Sequence, residues 1–188
     1  MLAVVVFATP AAHAMEVVKR DFPDLVARAE QIVVGTVTDI RSGEDDAGAP
    51  MTFVTFSDLT VLKGEVGATL TLRFYGGTTG KFTVHVADMP TFATGERDLL
   101  FVAGNNRDVC PLVGVWQGRF RTRIDPASST EVIDDGEGRP VTGLSGRELI
   151  HMPLDANRNR PASMTLDAFR QLIADELAHP AAGQGGDQ

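Results

Sequence analysis

The chain has one cysteine (Cys110), one tryptophan and one tyrosine among its 188 residues. A single cysteine excludes an intramolecular disulfide, so the hydrophobic core must supply the stability. Histidine is almost as scarce. The four residues, at positions 13, 85, 151 and 179, form no H-x-x-x-H pair, and no cysteine pair supplies metal-ligand spacing. No metal and no cofactor is expected. Basic residues are outnumbered, with 17 Lys and Arg against 25 Asp and Glu, for a formal charge of −8. This balance argues against a nucleic-acid partner, whose phosphates reward a basic face. The acidic excess mainly favours solubility. No apolar run approaches the roughly 20 residues of a membrane-spanning helix.

What is present begins with a short apolar stretch, Met1-Leu-Ala-Val-Val-Val-Phe-Ala8, followed by Thr9-Pro-Ala-Ala-His-Ala14. Ala12-His13-Ala14 has the small-x-small form that signal peptidase accepts. Residues 1–14 therefore read as the remnant of a signal peptide, with a mature chain starting at Met15 and a secreted or periplasmic location. The basic n-region is missing, so the true start codon is expected upstream of Met1.

The region from Thr52 to Asp125 is a series of β-type runs divided by glycine turns. Thr52–Phe56, Leu59–Gly64, Ala68–Phe74, Phe82–Val86, Asp98–Val102 and Pro111–Arg121 are the successive segments. In Thr69–Phe74, Leu70, Leu72 and Phe74 alternate with Thr69, Thr71 and Arg73, the period of a half-buried strand. Ile32–Val37 is more uniformly apolar, as in a strand covered on both faces. Runs this short cannot bury their apolar faces in a flat sheet, so a small barrel or sandwich is expected. Helices bracket the β region. Asp21 caps a turn with Phe22 and Pro23, after which Leu25, Val26, Ala29 and Ile32 recur at helical spacing. Thr165 caps a second, in which Leu166, Phe169, Leu172, Ile173 and Leu177 share a face before Pro180. Arg41–Pro50 and the stretch from about Asp134 to Met164 read as polar or irregular loops.

The order of these segments resembles a known family. Asp24-Leu-Val-Ala-Arg-Ala-Glu-Gln-Ile-Val-Val-Gly-Thr-Val37, then Val61-Leu-Lys-Gly64, then Phe92-Ala-Thr-Gly-Glu-Arg-Asp-Leu-Leu-Phe101 is similar to the netrin-like, tissue-inhibitor-of-metalloproteinases type of OB barrel found in secreted bacterial proteins. The resemblance covers roughly residues 24 to 125. It implies a closed five-stranded barrel flanked by helices, and binding more than catalysis. Tissue inhibitors place an N-terminal cysteine over the protease zinc. Met15-Glu16 offers none, so that mechanism carries over to no residue here.

The residues with chemical character form no convergent catalytic set. Gly76-Gly-Thr-Thr-Gly-Lys81 is one residue short of a phosphate-binding G-x-x-x-x-G-K-[ST] loop, and Phe82 replaces its hydroxyl residue. A glycine hairpin turn accounts for it better. Cys110-Pro111 reads as a small core hydrophobe; a nucleophile would need a base, His85 or His151, and a depressed pKa. Arg119, Arg121 and Arg123 alternate on one strand, either as a binding face or as an edge kept soluble. The clusters Glu44-Asp-Asp46 and Asp134-Asp135-Gly-Glu137 lack calcium-loop spacing and read as solvated loops.

The sequence thus predicts an α+β, mainly β, single domain over residues 15–180. It would be a small closed OB-like barrel flanked by an N-terminal and a C-terminal helix, with a disordered tail at 181–188. The expected role is an exported, non-catalytic binding or accessory module. Its partner would be a secreted or envelope protein such as a protease, met through Arg119, Arg121, Arg123, Gly76, Gly77 and Lys81. The alternatives are a cysteine-dependent hydrolase using Cys110 with a histidine, and a structural envelope protein.

Overall fold

The computed structural model of the chain describes residues 18–80, 82–153 and 162–180. Residues 1–14, expected to be a signal remnant, Lys81 and the expected tail at 181–188 lie outside the described residues.

The first element, α1 (Phe22–Arg28), starts where Asp21 accepts a hydrogen bond from the Asp24 N–H at 2.9 Å, and Pro23 occupies the first turn. Its far end is capped from outside the helix. Lys63 Nζ donates to the carbonyls of Val26 (2.8 Å) and Ala27 (3.2 Å), placing a cation where the helix dipole favours one.

Among the described residues ten strands follow: β1 (Gln31–Glu44), β2 (Pro50–Lys63), β3 (Leu70–Tyr75), β4 (Gly77–Thr78), β5 (Thr83–Val84), β6 (Arg97–Val102), β7 (Arg119–Ile124), β8 (Glu131–Asp135), β9 (Val141–Ser145) and β10 (Glu148–His151). A 3-10 turn at Val115–Gly118 precedes β7, and α2 (Leu166–Ala178) closes the fold behind its Thr165 cap. Six strands make one antiparallel sheet in the order β3-β2-β1-β6-β7-β8, while β4–β5 and β9–β10 are separate hairpins.

The sheet is open, and the closed barrel expected from the sequence is not formed. Its outer strands, β3 and β8, do not pair with each other. Closure would serve to satisfy edge N–H and C=O groups, and here irregular segments satisfy them instead. On β3 the Asn105 side chain imitates a neighbouring strand: Oδ1 accepts from the Arg73 N–H (3.1 Å) and Nδ2 donates to the Thr71 carbonyl (2.9 Å). The Tyr75 N–H donates to the Val109 carbonyl at 2.8 Å. On β8 the Ile133 N–H donates to the Met164 carbonyl at 3.0 Å, and Val132 bridges to Thr165.

Both faces of the sheet are covered, so two cores form rather than a single barrel interior. One unites Ile32, Val34, Leu99, Phe101, Phe120 and Ile133 with α1 and α2. The other unites Val33, Val37, Phe56, Leu72, Phe74, Leu100 and Val102 with Cys110 and Leu112. The uniformly apolar run from Ile32 feeds both, as alternation along a strand requires. The described parts of the two segments read as loops hold regular structure. Arg41–Pro50 is the end of a long hairpin, since β1 continues to Glu44 and β2 starts at Pro50. Asp45 Oδ1 closes its turn by accepting from the N–H groups of Ala47 (3.0 Å) and Ala49 (2.8 Å). The region after Asp134 contains the β9–β10 hairpin.

Candidate functional site

A cavity of about 330 Å³ opens beside the first core. Four stretches of the chain build it: the lead-in and start of α1, the 3-10 turn with the start of β7, the end of β8 with the turn after it, and β10. Gln117 ties the lead-in to the 3-10 turn. Gln117 Oε1 accepts from the Arg20 N–H (2.7 Å), and its Nε2 donates to the Val18 carbonyl (3.0 Å). Residues 18–20 thereby become a fixed wall.

The 3-10 turn is entered through two left-handed residues, Gly114 and Val115, both with φ of 62°. Valine in this region is strained, because its branched Cβ crowds the backbone. The turn then runs against the segment that follows β8. A Cβ on Gly136 would stand 2.3 Å from the Trp116 carbonyl oxygen, so only glycine allows this approach. It places Trp116 in the cavity wall with Phe22, Leu25, Phe120 and Leu149.

The polar side is organised by Asp135, which is 4% exposed. Its Oδ1 accepts from the N–H groups of Glu137 (3.0 Å) and Arg139 (2.8 Å), and its Oδ2 accepts from Arg139 Nε (2.8 Å). His151 Nδ1, carried in by β10, stands 2.9 Å from the same Oδ2. This contact is short but not well aligned for a hydrogen bond. Burial pushes the Asp135 carboxyl up, but His151 and Arg139 outweigh it and leave the group below its ordinary value. Around the rim, Lys19 pairs with Glu148 at 2.5 Å and Arg139 with Glu137 at 2.6 Å. Asp134-Asp135-Gly-Glu137 has the composition of a solvated loop, yet Asp135 is the buried centre of this site.

The arginine stripe is divided by the structure. All three residues lie on the sheet face opposite Phe120, but Arg119 is only 1% exposed. Its Nη2 donates to Glu96 (2.8 Å) and Asp98 (2.9 Å), Nη1 donates to the Thr91 carbonyl, and the guanidinium lies 4.0 Å from the Phe92 ring centroid. Burial holds the Asp98 carboxyl above its ordinary value despite Arg119. Arg123 is bound to Asp134 at 2.8 Å and to Ser163 at 3.2 Å. Arg121 is half-buried between Asp98 and Asp134 in the strand register. Gly76 and Gly77 lie elsewhere, at a second cavity of about 270 Å³ beside Phe74 and Phe92. Gly77 is required there: its φ is 139°, and a Cβ would meet Thr52 Oγ1 at 2.8 Å. The glycines and arginines are thus not brought together into one site.

Cys110 is buried in the second core, where burial pushes its thiol up to about 11. His151 lines the cavity at the first core, and His85 is exposed at the second cavity. Among the described residues, no three His, Cys, Asp or Glu side chains are grouped to hold a metal ion. No helix among them is long and apolar enough to cross a membrane. Comparisons of the chain with protein-family models, curated proteins and solved structures return no match.

Proposed function

We propose that this chain is an exported, non-catalytic binding module that recognises a secreted or envelope protein through the cavity beside the first core. The observation that carries this reading is the composition of that cavity. One side is apolar, with two phenylalanines and the only tryptophan. The other carries Asp135, His151 and rim ion pairs held by backbone and side-chain bonds. A concave site that joins an apolar wall to polar groups fixed in place has the two ingredients that binding sites combine. Export rests on the small-x-small sequence at Ala12-His13-Ala14. A raised thiol is a poor nucleophile, so Cys110 supports a packing role.

Leu149→Arg tests the reading. Leu149 lines the cavity and is half-buried, so an arginine there can lay its stem on the apolar wall and leave its charge at the mouth. The variant is expected to lose at least tenfold in recovery of the partner from the native exported fraction, with little change in thermal midpoint. Undiminished recovery contradicts the proposal, as does ester or peptide hydrolysis by the purified chain that Cys110→Ser abolishes.

A further inference from the structure

We infer that the cavity beside Trp116 accepts an aromatic ring bearing a hydroxyl group, with the hydroxyl donating its proton to His151 Nε2. This inference rests on the reading of that cavity as the recognition site and names what enters it.

The chemistry follows from the two nitrogens of His151. Nδ1 is fully buried and faces the Asp135 carboxylate at 2.9 Å. A bare lone pair opposed to a carboxylate at that distance is repulsive, so the ring proton belongs on Nδ1. The neutral imidazole then has its acceptor at Nε2. The His151 side chain is 28% exposed although Nδ1 is not, so the accessible edge is the one carrying Nε2, and it lines the cavity. Nothing among the described residues donates to it. Among the described residues the site therefore offers one fixed acceptor without a partner, and a ligand donor is its natural complement.

The remaining lining selects a neutral aromatic body. The lining carries three cations, Lys19, Arg20 and Arg139, against three acids, Asp135, Glu137 and Glu148, leaving no surplus charge to attract a carboxylate or an ammonium group. Half-buried Trp116 offers the accessible ring, backed by the buried Phe22 and Phe120, and aromatic rings pair well with another ring. The volume of about 330 Å³ exceeds the roughly 150 Å³ of an engineered apolar cavity that holds benzene. A phenol fits this description, whether as a free molecule or as a tyrosine side chain presented by a partner protein.

The test uses the full chain and the fluorescence of Trp116, the sole tryptophan, at pH 8. A phenol keeps its proton there, because its pKa is about 10. Titrations with p-cresol, toluene and N-acetyl-tyrosinamide separate the contributions. One neutral hydrogen bond predicts that p-cresol binds about fivefold more tightly than toluene. The preference should vanish in His151→Phe and persist in His151→Gln, whose amide oxygen can still accept. Binding of N-acetyl-tyrosinamide at least as tight as that of p-cresol assigns the ring to a tyrosine side chain; binding of p-cresol alone assigns it to a free phenol. Equal affinity for p-cresol and toluene, a preference that survives in His151→Phe, or no binding of any probe overturns the inference. None of these failures restores partner recovery in Leu149→Arg, so the broader reading stands or falls separately.

Discussion

At the residue scale, similar side chains take different roles because their burial and partners differ. Arg119 is enclosed by Glu96, Asp98 and the Phe92 ring, whereas Arg121 forms no ion pair among the described residues. Removing one member of a buried pair leaves its partner's charge uncompensated. Arg119→Met should therefore cost about 3–5 kcal/mol in urea denaturation, and Arg121→Ser less than about 0.5 kcal/mol. A triple serine replacement of the stripe would measure unfolding, not recognition. Cys110→Ala should cost about 1 kcal/mol of packing. Thiol reagents should label Cys110 slowly in the native chain and rapidly in denaturant. Asp135 adds a pH dependence. Its carboxyl is lower in the folded chain than its ordinary 3.8, so its contribution is complete above that value and is lost as pH falls through the folded pKa. Asp98, held above its ordinary value, acts with the opposite sign. Asp135→Asn should be less stable than the native chain at neutral pH, with the gap narrowing in acid. A constant gap across an acid series of denaturation curves would contradict this assignment.

At the scale of elements, the open sheet persists because its edges are closed by side chains and loops. Asn105 serves β3 with both ends of its amide. Asn105→Ala should lose about 1 kcal/mol or more and expose a strand edge, seen as concentration-dependent association in size-exclusion chromatography. A stable monomeric variant would show that Val109 alone suffices. This edge explains why the sheet's openness was not legible in the sequence. Alternation at Leu70, Leu72 and Phe74 reveals the buried face of a strand, and the caps at Asp21 and Thr165 reveal where helices begin. No local pattern reveals that an asparagine more than 30 residues later replaces a neighbouring strand. Short runs with a half-buried period therefore suggested closure, while the real solution was a layer on each face. Arg41–Glu44 looked like loop because polar residues dominate it, but pairing with β2 extends the strand regardless of composition.

At the scale of the whole molecule, the sheet separates two cores and, with them, the residues that have chemical character. Cys110 is packed in one core and His151 stands beside the other, a separation no spacing in the sequence could reveal. The cavity itself was largely hidden. The single tryptophan was visible, but its approach to Gly136 depends on a tertiary contact, and the Asp135–His151 pair is assembled by the β9–β10 hairpin. Acidic residues beside glycine read locally as a solvated turn, and only the fold buries one of them. The central claim is that recognition occurs at this cavity, not at the arginine stripe or the glycine turn. Amide hydrogen exchange of the full chain, alone and with the native exported-protein fraction, tests it most directly. The account predicts added protection across residues 18–22, 114–120, 135–139 and 148–151. Protection confined to residues 76–84 or 121–123, or no change at the four cavity segments, would contradict it.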